Sequence, residues 1–385
     1  MGIDLNSRTP LYIQIADEIK SQIESGKYKP GDQISSQSEL AELYSVSLIT
    51  VKKAIAELVN EGVLFARMGK GTFVAEKANR VNFSEHPTIG LVLGDLNSPY
   101  FSRIMESVEK QVSENGCNLM LSNSYESQEK EEKQITHFLN IGVSGLIIAS
   151  MTRSYHASEI VKHLHETNFP YVIVSYMADE NINFVGTDHE LGAYVATEHL
   201  IKLGYDKIGY INSEDGNILG EVRKTGYRRA LKEFNKNYSK EYEFRVREGG
   251  GWNYYRSGYE IGQQFNALEA LPDAMFTYND LIALGFERAI LESGRQIPGD
   301  IAIVGFDNIK RGMVAPVPLT TIHQPTDKIG YHAVKLLLDK INKKTGSNRI
   351  ILKPELIVRA SCGSGLFNNI SYGDEMFYDP ETSGF

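Results

Sequence analysis

The sequence predicts two modules of different class, a small α+β unit over residues 8–76 and a two-lobed α/β domain over residues 88–363. Three observations carry this. Apolar residues first recur at helical spacing, then give way to two short strand-like runs about a Gly-Lys-Gly. A polar, aperiodic stretch, EKANRVNFSEHP, follows. From Thr88 onward, buried-strand runs alternate with amphipathic helices as far as Cys362.

Composition agrees with this division. A chain of 385 residues exceeds one ordinary core, and 42% hydrophobic with 23% charged residues fits a globular protein. No apolar run reaches membrane-spanning length, and MGIDLNSRTP has no basic-then-apolar leader, so a cytoplasmic location is expected. Cys117 and Cys362 stand alone, and the nine histidines show no tight ligand spacing. Neither a metal nor a cofactor is expected. The net charge of −9 is unevenly spread. Residues 1–80 hold ten basic and ten acidic side chains, so the whole deficit lies beyond them. Between Tyr44 and Lys77 five basic residues face three acidic ones, a modest local excess.

The elements of the first unit follow in order. Leu11, Ile15, Ile19 and Ile23 recur every fourth residue and predict a helix ending at Ser25-Gly26. Lys29-Pro30-Gly31-Asp32 is a turn. Ser36-Gln37-Ser38-Glu39 is a capping box that opens a short second helix, Gln37 to about Tyr44. Ser47 caps a third helix running to about Glu61, and Gly62 ends it. Val63 to Ala66 and Thr72 to Ala75 form a hairpin. Helix, helix, turn, helix, hairpin is a winged helix-turn-helix, with the helix-turn-helix at 36–55 and the wing at 63–75.

PLYIQIADEI, IESGKYKPGDQI, SELAELYSVS, TVKKAIAELVNEGVL and GKGTFVA together resemble the GntR family of bacterial regulators over about 65 residues. The family often has Leu-Pro-Ser-Glu where this chain has Ile34-Ser35-Ser36-Gln37, and arginine where it has Leu48 and Lys52. On a wheel of about 100° per residue, Val51, Ala54, Ile55 and Leu58 share the core side. Ile49 and Lys53 point nearly opposite. Leu48 lies on a flank, either at the core edge or toward the groove. An apolar side chain in the groove can meet a thymine methyl, and lysines hold phosphates. The expected DNA-contacting set is Ser36, Ser38, Ser47, Leu48, Ile49, Thr50, Lys52, Lys53, Arg67, Lys70, Gly71 and Thr72.

Residues 77–87 are expected to form a linker. Beyond them IGLVLGD, Asn118 to Ser122, GLIIAS, YVIVS, FVGTD, IGYIN, AMFTY and IAIVGFD predict strands. Helices are expected at Pro99 to Asn115, at Glu129 to Asn140 and in HELGAYVATEHLIKLG and LIALGFERAILESG. Such alternation means parallel sheets with right-handed crossovers, here too many units for one sheet. Two lobes fit, with a cleft at the carboxyl ends of their strands. GLVLGDLNSPYFSRIMESVE, LSNSYESQEKE, GTDHELGAYVATEHLIKLGYDKIGYI, VRKTGYRRAL, TYNDLIALG and PGDIAIVGFDN resemble the LacI/GalR effector domain, a type I periplasmic-binding-protein-like fold. Unlike LacI repressors proper, the linker has no hinge-helix pattern. The whole resembles the GntR–LacI hybrid repressors of Gram-positive bacteria. The tail, residues 364–385, is polar and aperiodic and is expected to be disordered.

Sugar sites pair aromatic faces with planar polar groups. Tyr100 and Phe101 in NSPYF, Arg223 in VRKTGY, Trp252 in GGGWNYY, Asn279 and Asp280 after AMFTY, Asp307 after IAIVGF and Gln324 on a connection are the candidates. The resemblance implies effector contacts at these positions. Alternatives stand beside them: a helix cap for Asp280, a turn former in Asp307, a core ring in Phe101. Asp95, Ser175 and Asp188 also end strands. No G-x-S-x-G elbow, P-loop or dinucleotide motif competes, so no enzyme is expected. The expected function is a repressor acting as a homodimer on double-stranded operator DNA, tuned by a small carbohydrate, with a pentose such as arabinose first among candidates. A sugar sensor whose N-terminal unit no longer reads DNA is the alternative.

Overall fold

The computed structural model describes residues 10–60, 63–67, 71–75, 86–149, 155–247, 253–267, 271–344 and 346–366. They fall into two compact units, divided between Glu85 and His86.

The first unit has helices α1 (Leu11–Glu24), α2 (Gln37–Leu43) and α3 (Leu48–Asn60), then strands β1 (Leu64–Arg67) and β2 (Gly71–Val74). Ser36 and Glu39 form the reciprocal capping box that opens α2. The antiparallel hairpin pairs Phe65 with Phe73. One feature escaped the sequence reading: the turn after α1 adds to the wing, since Ile34 N donates to Thr72 O (3.0 Å) and Val74 N to Asp32 O (2.8 Å). Ile15, Ile19, Ile34, Leu40, Val51, Ala54, Ile55, Leu58, Leu64 and Val74 are buried together, so the predicted inner face of α3 does face the core. Glu61, Gly62 and the linker positions 76–85 lie outside the described residues.

The second unit has two sheets. The first lobe is built from β3 (Thr88–Leu93), α4 (Pro99–Glu114), β4 (Asn118–Asn123), α5 (Gln128–Ile141), β5 (Gly145–Ala149), α6 (Glu159–Glu166), β6 (Tyr171–Ser175) and β7 (Phe184–Thr187). The chain then crosses to the second lobe: α7 (His189–Lys202), β8 (Ile208–Asn212), α8 (Ile218–Glu233), β9 (Glu243–Arg245), α9 (Tyr254–Phe265), β10 (Ala274–Thr277), α10 (Asp280–Glu292), β11 (Ala302–Asp307), α11 (Lys310–Met313) and β12 (Thr320–His323). It returns with α12 (Thr326–Ile341) and β13 (Arg349–Leu352), and crosses back for β14 (Glu355–Ile357). The sheet orders are β13-β7-β6-β5-β3-β4 and β14-β12-β11-β10-β8-β9. All pairs are parallel except β12 with β14. Three crossings join the lobes, and strands on both sides end toward the space between them.

Strands β9, β12, β13 and β14 were not anticipated. They are short and sit at or near sheet edges, where the buried apolar run that marks the central strands is absent. A short turn of helix at Ser364–Leu366 extends the fold past the predicted boundary, and 367–385 lie outside the described residues. No described helix is long and apolar enough to cross a membrane.

Candidate functional site

The first unit presents α3 as its outward helix. Ser47 Oγ accepts from Thr50 N (3.2 Å) and pairs with Thr50 Oγ1 (2.8 Å), which fixes the first turn. Beside it Leu48 is 41% and Ile49 78% exposed. Of the two alternatives for Leu48, the structure therefore takes the outward one. Lys52 and Lys53 are exposed, and Lys53 Nζ stands 3.9 Å over the ring of Tyr12 from α1. That ring fixes one of the two helix lysines and leaves Lys52 without this support. Ser36 and Ser38 are exposed at the start of α2, though the Ser36 hydroxyl serves the capping box. Arg67 and Gly71 form the last paired position of the wing, and Thr72 follows. Gly71 adopts φ 109°, which favours glycine. Lys70 lies outside the described residues.

In the second unit a cavity of about 220 Å³ opens between the lobes. Tyr100, Phe101, Arg223, Asn279, Asp307 and Gln324, scattered over more than 200 positions, all line it. Trp252 lies outside the described residues. Asp280 is a correction: it does not line the cavity. Its carboxylate is fully buried and accepts from Thr321 Oγ1 (2.6 Å) and from Ile309 N (2.8 Å). It is not the helix cap either, since Asn279 Oδ1 accepts from Ile282 N and takes that role. Asp280 instead ties α10 to the turn after β11. Burial, then the charge of Asp307, pushes its carboxyl up to about 8.

Arg223 is a second correction. Its motif, VRKTGY, does not end a strand but lies in a helix: Asn217 caps α8 by accepting from Gly220 N, and Arg223 stands on the second turn. The residue is only 3% exposed. One amino group donates to the carbonyl of Tyr278, the other to His189 Nδ1 (3.2 Å), and Asp307 Oδ1 lies 3.8 Å away. The guanidinium is stacked 3.7 Å from the Phe306 ring centre. His189 Nε2 in turn lies 3.4 Å from the carbonyl of Ser175. A carbonyl only accepts and a guanidinium only donates, so His189 is neutral with its proton on Nε2. Burial and the neighbouring Arg223 hold its pKa well below the usual imidazole value.

Asp307 leaves the end of β11 at φ 117°, and Asn308 follows at φ 53°. This strained turn aims the Asp307 carboxylate inward, where Gln324 Nε2 donates to it at 2.7 Å. Burial raises its pKa to about 6, against the opposing pull of Arg223. Among the described lining residues three buried polar atoms remain without partners, Tyr100 Oη, Arg223 Nε and Gln324 Oε1. A fork of donors and an amide oxygen, set among aromatic rings, suit hydroxyl groups on an apolar skeleton.

Sequence reading missed His189, Tyr155, Tyr254, Tyr278 and Glu126, which also line the cavity. Asp95 and Ser175, noted as strand ends, also line it, whereas Asp188 caps α7 through Leu191 N. Among the described residues no group of three or more His, Cys, Asp or Glu side chains is placed to hold a metal ion.

Two known families match parts of the chain. Residues 11–74 match the bacterial regulatory proteins of the gntR family, and 197–362 match a periplasmic binding protein-like domain. The arabinose metabolism transcriptional repressor of Geobacillus stearothermophilus is 31% identical over 361 residues, 91% of this chain and 97% of its own. The HTH-type transcriptional repressor PurR of Pasteurella multocida is 32% identical over 281 residues, 72% of this chain and 82% of its own. Among solved structures, a LacI family transcriptional regulator of Enterococcus faecium with bound ribose superposes with a TM-score of 0.61 at 26% identity, covering 71% of this chain and 98% of that one. The chain belongs to the bacterial transcriptional repressors, DNA-binding regulators that here join a GntR-type winged helix-turn-helix to a LacI-type periplasmic-binding-protein-like domain.

Proposed function

We propose that this repressor is controlled by a small carbohydrate bound between its lobes, and that it acts as a homodimer on a two-fold operator. The observation that carries the effector class is the set of buried, unpartnered atoms Tyr100 Oη, Arg223 Nε and Gln324 Oε1, lining the same cavity as Asp307 and the ring of Phe101. Such atoms are costly to bury unless a ligand meets them. A cavity of about 220 Å³ between the lobes suits a small ligand such as a monosaccharide. A relative named for arabinose metabolism and a structural neighbour holding ribose support the same class, with pentoses as the first probes.

Control follows from differential affinity. Gln324 lies on a crossing between lobes, and Arg103 on α4 donates to the carbonyl of Asn308 (2.8 Å) in the second lobe. A sugar held by both lobes favours one lobe arrangement, and operator affinity changes by the free-energy difference it imposes, typically about 1–3 kcal/mol. Induction is the expected direction, so sugar lowers operator affinity. A thermal-shift panel of pentoses, hexoses and disaccharides, followed by operator titration with and without the stabilising sugar, tests this. Identical titrations with bound sugar would refute the switch. Sugar binding without operator binding would leave a sugar sensor.

A further inference from the structure

His189 is the buried first residue of α7, the helix on which the chain passes from the first lobe to the second. Its two ring nitrogens meet different lobes. Nε2 donates to the carbonyl of Ser175 at the end of β6 (3.4 Å), and Nδ1 accepts from Arg223 on α8 (3.2 Å). Ser175 holds φ 82°, so this carbonyl leaves its strand in a direction that residues other than glycine rarely take. The imidazole lies against the Phe306 ring, with centres 5.7 Å apart and planes at 27°. The Arg223 guanidinium stacks on that ring as well, so one aromatic side chain backs both members of the pair.

The two helices hold the pair in place. Arg223, Gly226 and Arg229 recur at three-residue spacing on the side of α8 that meets α7. A Cβ on Gly226 would collide with the carbonyl oxygen of Glu190, so the helices approach closely beside His189. One turn further along, Arg229 pairs with Glu190 and stacks on Tyr194. Of the Arg223 nitrogens, Nη1 donates to the Tyr278 carbonyl and Nη2 to His189, which leaves Nε as the buried donor without a partner. A guanidinium is planar and rigid, so fixing both amino nitrogens fixes the direction of the Nε–H bond.

We propose that His189 is a positioning residue for the effector: by accepting from Arg223 it sets the direction of the free Nε–H of an arginine that lines the cleft, and by donating to Ser175 it ties that arrangement to the first lobe. The affinity it confers rests on the carbohydrate reading above; the aim of Arg223 does not. Both imidazole nitrogens are taken by the protein, so His189 has no polar atom left for a sugar and acts through Arg223. A neutral imidazole suits this place, since it accepts at one nitrogen and donates at the other while adding no charge beside the guanidinium. Asparagine and glutamine separate the two duties. An asparagine oxygen reaches about as far as Nδ1 and accepts from Arg223, but its side chain stops short of Ser175. A glutamine amide places an N–H near Nε2, within reach of Ser175, and leaves Arg223 without an acceptor.

The test compares the full chain with His189→Asn, His189→Gln and His189→Leu, with melting temperature as the control for folding. Nuclear magnetic resonance on isotope-labelled arginine reads the Arg223 Nε–H signal, identified by its loss in Arg223→Lys. That signal should keep its position in His189→Asn and move in His189→Gln and His189→Leu. Calorimetry with L-arabinose and D-ribose is the second arm. Affinity should fall at least about tenfold in His189→Gln and His189→Leu and stay within about threefold of the parent in His189→Asn. If His189→Leu does not fold, His189→Gln carries the comparison. A signal unmoved in His189→Gln overturns the proposal, and so does full affinity in that variant or an equal loss in the asparagine and glutamine variants. If neither pentose binds the parent protein, the pentose reading fails, and the arginine signal alone decides the role of His189.

Discussion

Gln324 Nε2 donates to Asp307 Oδ1 at 2.7 Å, tying a crossing between the lobes to the carboxyl end of β11. The bond makes one carboxylate serve two purposes, since the same Asp307 oxygen lies 3.8 Å from Arg223. Asp307→Asn keeps the shape and removes the charge that Arg223 faces. Effector affinity should fall by about 1–3 kcal/mol, the cost of an uncompensated buried donor. Calorimetry checks this, with the melting temperature as a control for folding. An unchanged affinity would remove Asp307 from the site.

Asp280 acts on the cavity without touching it. It holds Ile309 N and Thr321 Oγ1, and so holds the turn that carries Asp307. Asp280→Ala should destabilise the second unit by about 1–3 kcal/mol, because two buried donors lose their acceptor. Effector affinity should fall as well, since the strained conformation of Asp307 is then under-determined. Denaturant titration and calorimetry on one preparation separate the two effects. Full effector affinity in a destabilised variant would show that the turn holds its shape unaided.

The positions of Asn279 and Asp280 show where sequence reading succeeds and where it stops. Both follow the same strand in AMFTYND, so both were expected in the cleft. One residue later the helix has begun, and its rotation carries Asp280 back toward β11 and β12. Central strands were legible because their runs are wholly apolar; Ile147 and Val304 are examples, both fully buried. Edge strands such as β13, with Ile351 exposed, carry no such signal. Tyr155 precedes α6 in an aperiodic loop, and Tyr254 is the first residue of α9, where spacing says little about direction. Tyr278 was the one missed ring with a local cue, since it stands immediately before Asn279 at a strand end.

Glu287 on α10 gives a pH signature away from the cleft. Its Oε1 accepts from Val317 N (3.0 Å), but Oε2 is buried without a partner. Burial raises this carboxyl to about 7, above the ordinary 4.5, because the Val317 bond only partly offsets it. A carboxyl raised on folding stabilises the fold below its unfolded pKa, and that contribution is lost as pH rises through the folded value. Stability attributable to Glu287 should therefore decline between pH 4.5 and about 7. Glu287→Gln imitates the protonated form. Its free energy of unfolding should gain on the parent protein across that window, by about 1 kcal/mol or more at pH 8. A constant difference from pH 5 to 8 would mean that Glu287 does not titrate there.

Ile49, 78% exposed on the outward side of α3, is the most telling residue of the DNA-reading unit. An arginine at Leu48 or Ile49 would take guanine O6 and N7 with two bonds, and no aliphatic side chain can. The apolar pair instead suits a thymine methyl, with the Lys53 ammonium, fixed over Tyr12, supplying phosphate attraction. Two separable outcomes follow. Lys53→Ala should weaken all duplexes about equally and reduce the salt slope by about one phosphate contact. Tyr12→Leu should shift the slope the same way but less, because the lysine remains without its ring. Ile49→Ala should reduce discrimination at one T·A pair by about 1 kcal/mol, the low end of base readout. Replacing thymine by uracil at each operator position gives the direct test. If one methyl loss weakens the parent protein and leaves Ile49→Ala indifferent, the contact is identified. If no methyl matters, Ile49 is a spacer, and discrimination must come from the wing, the flanking helices or the shape of the duplex.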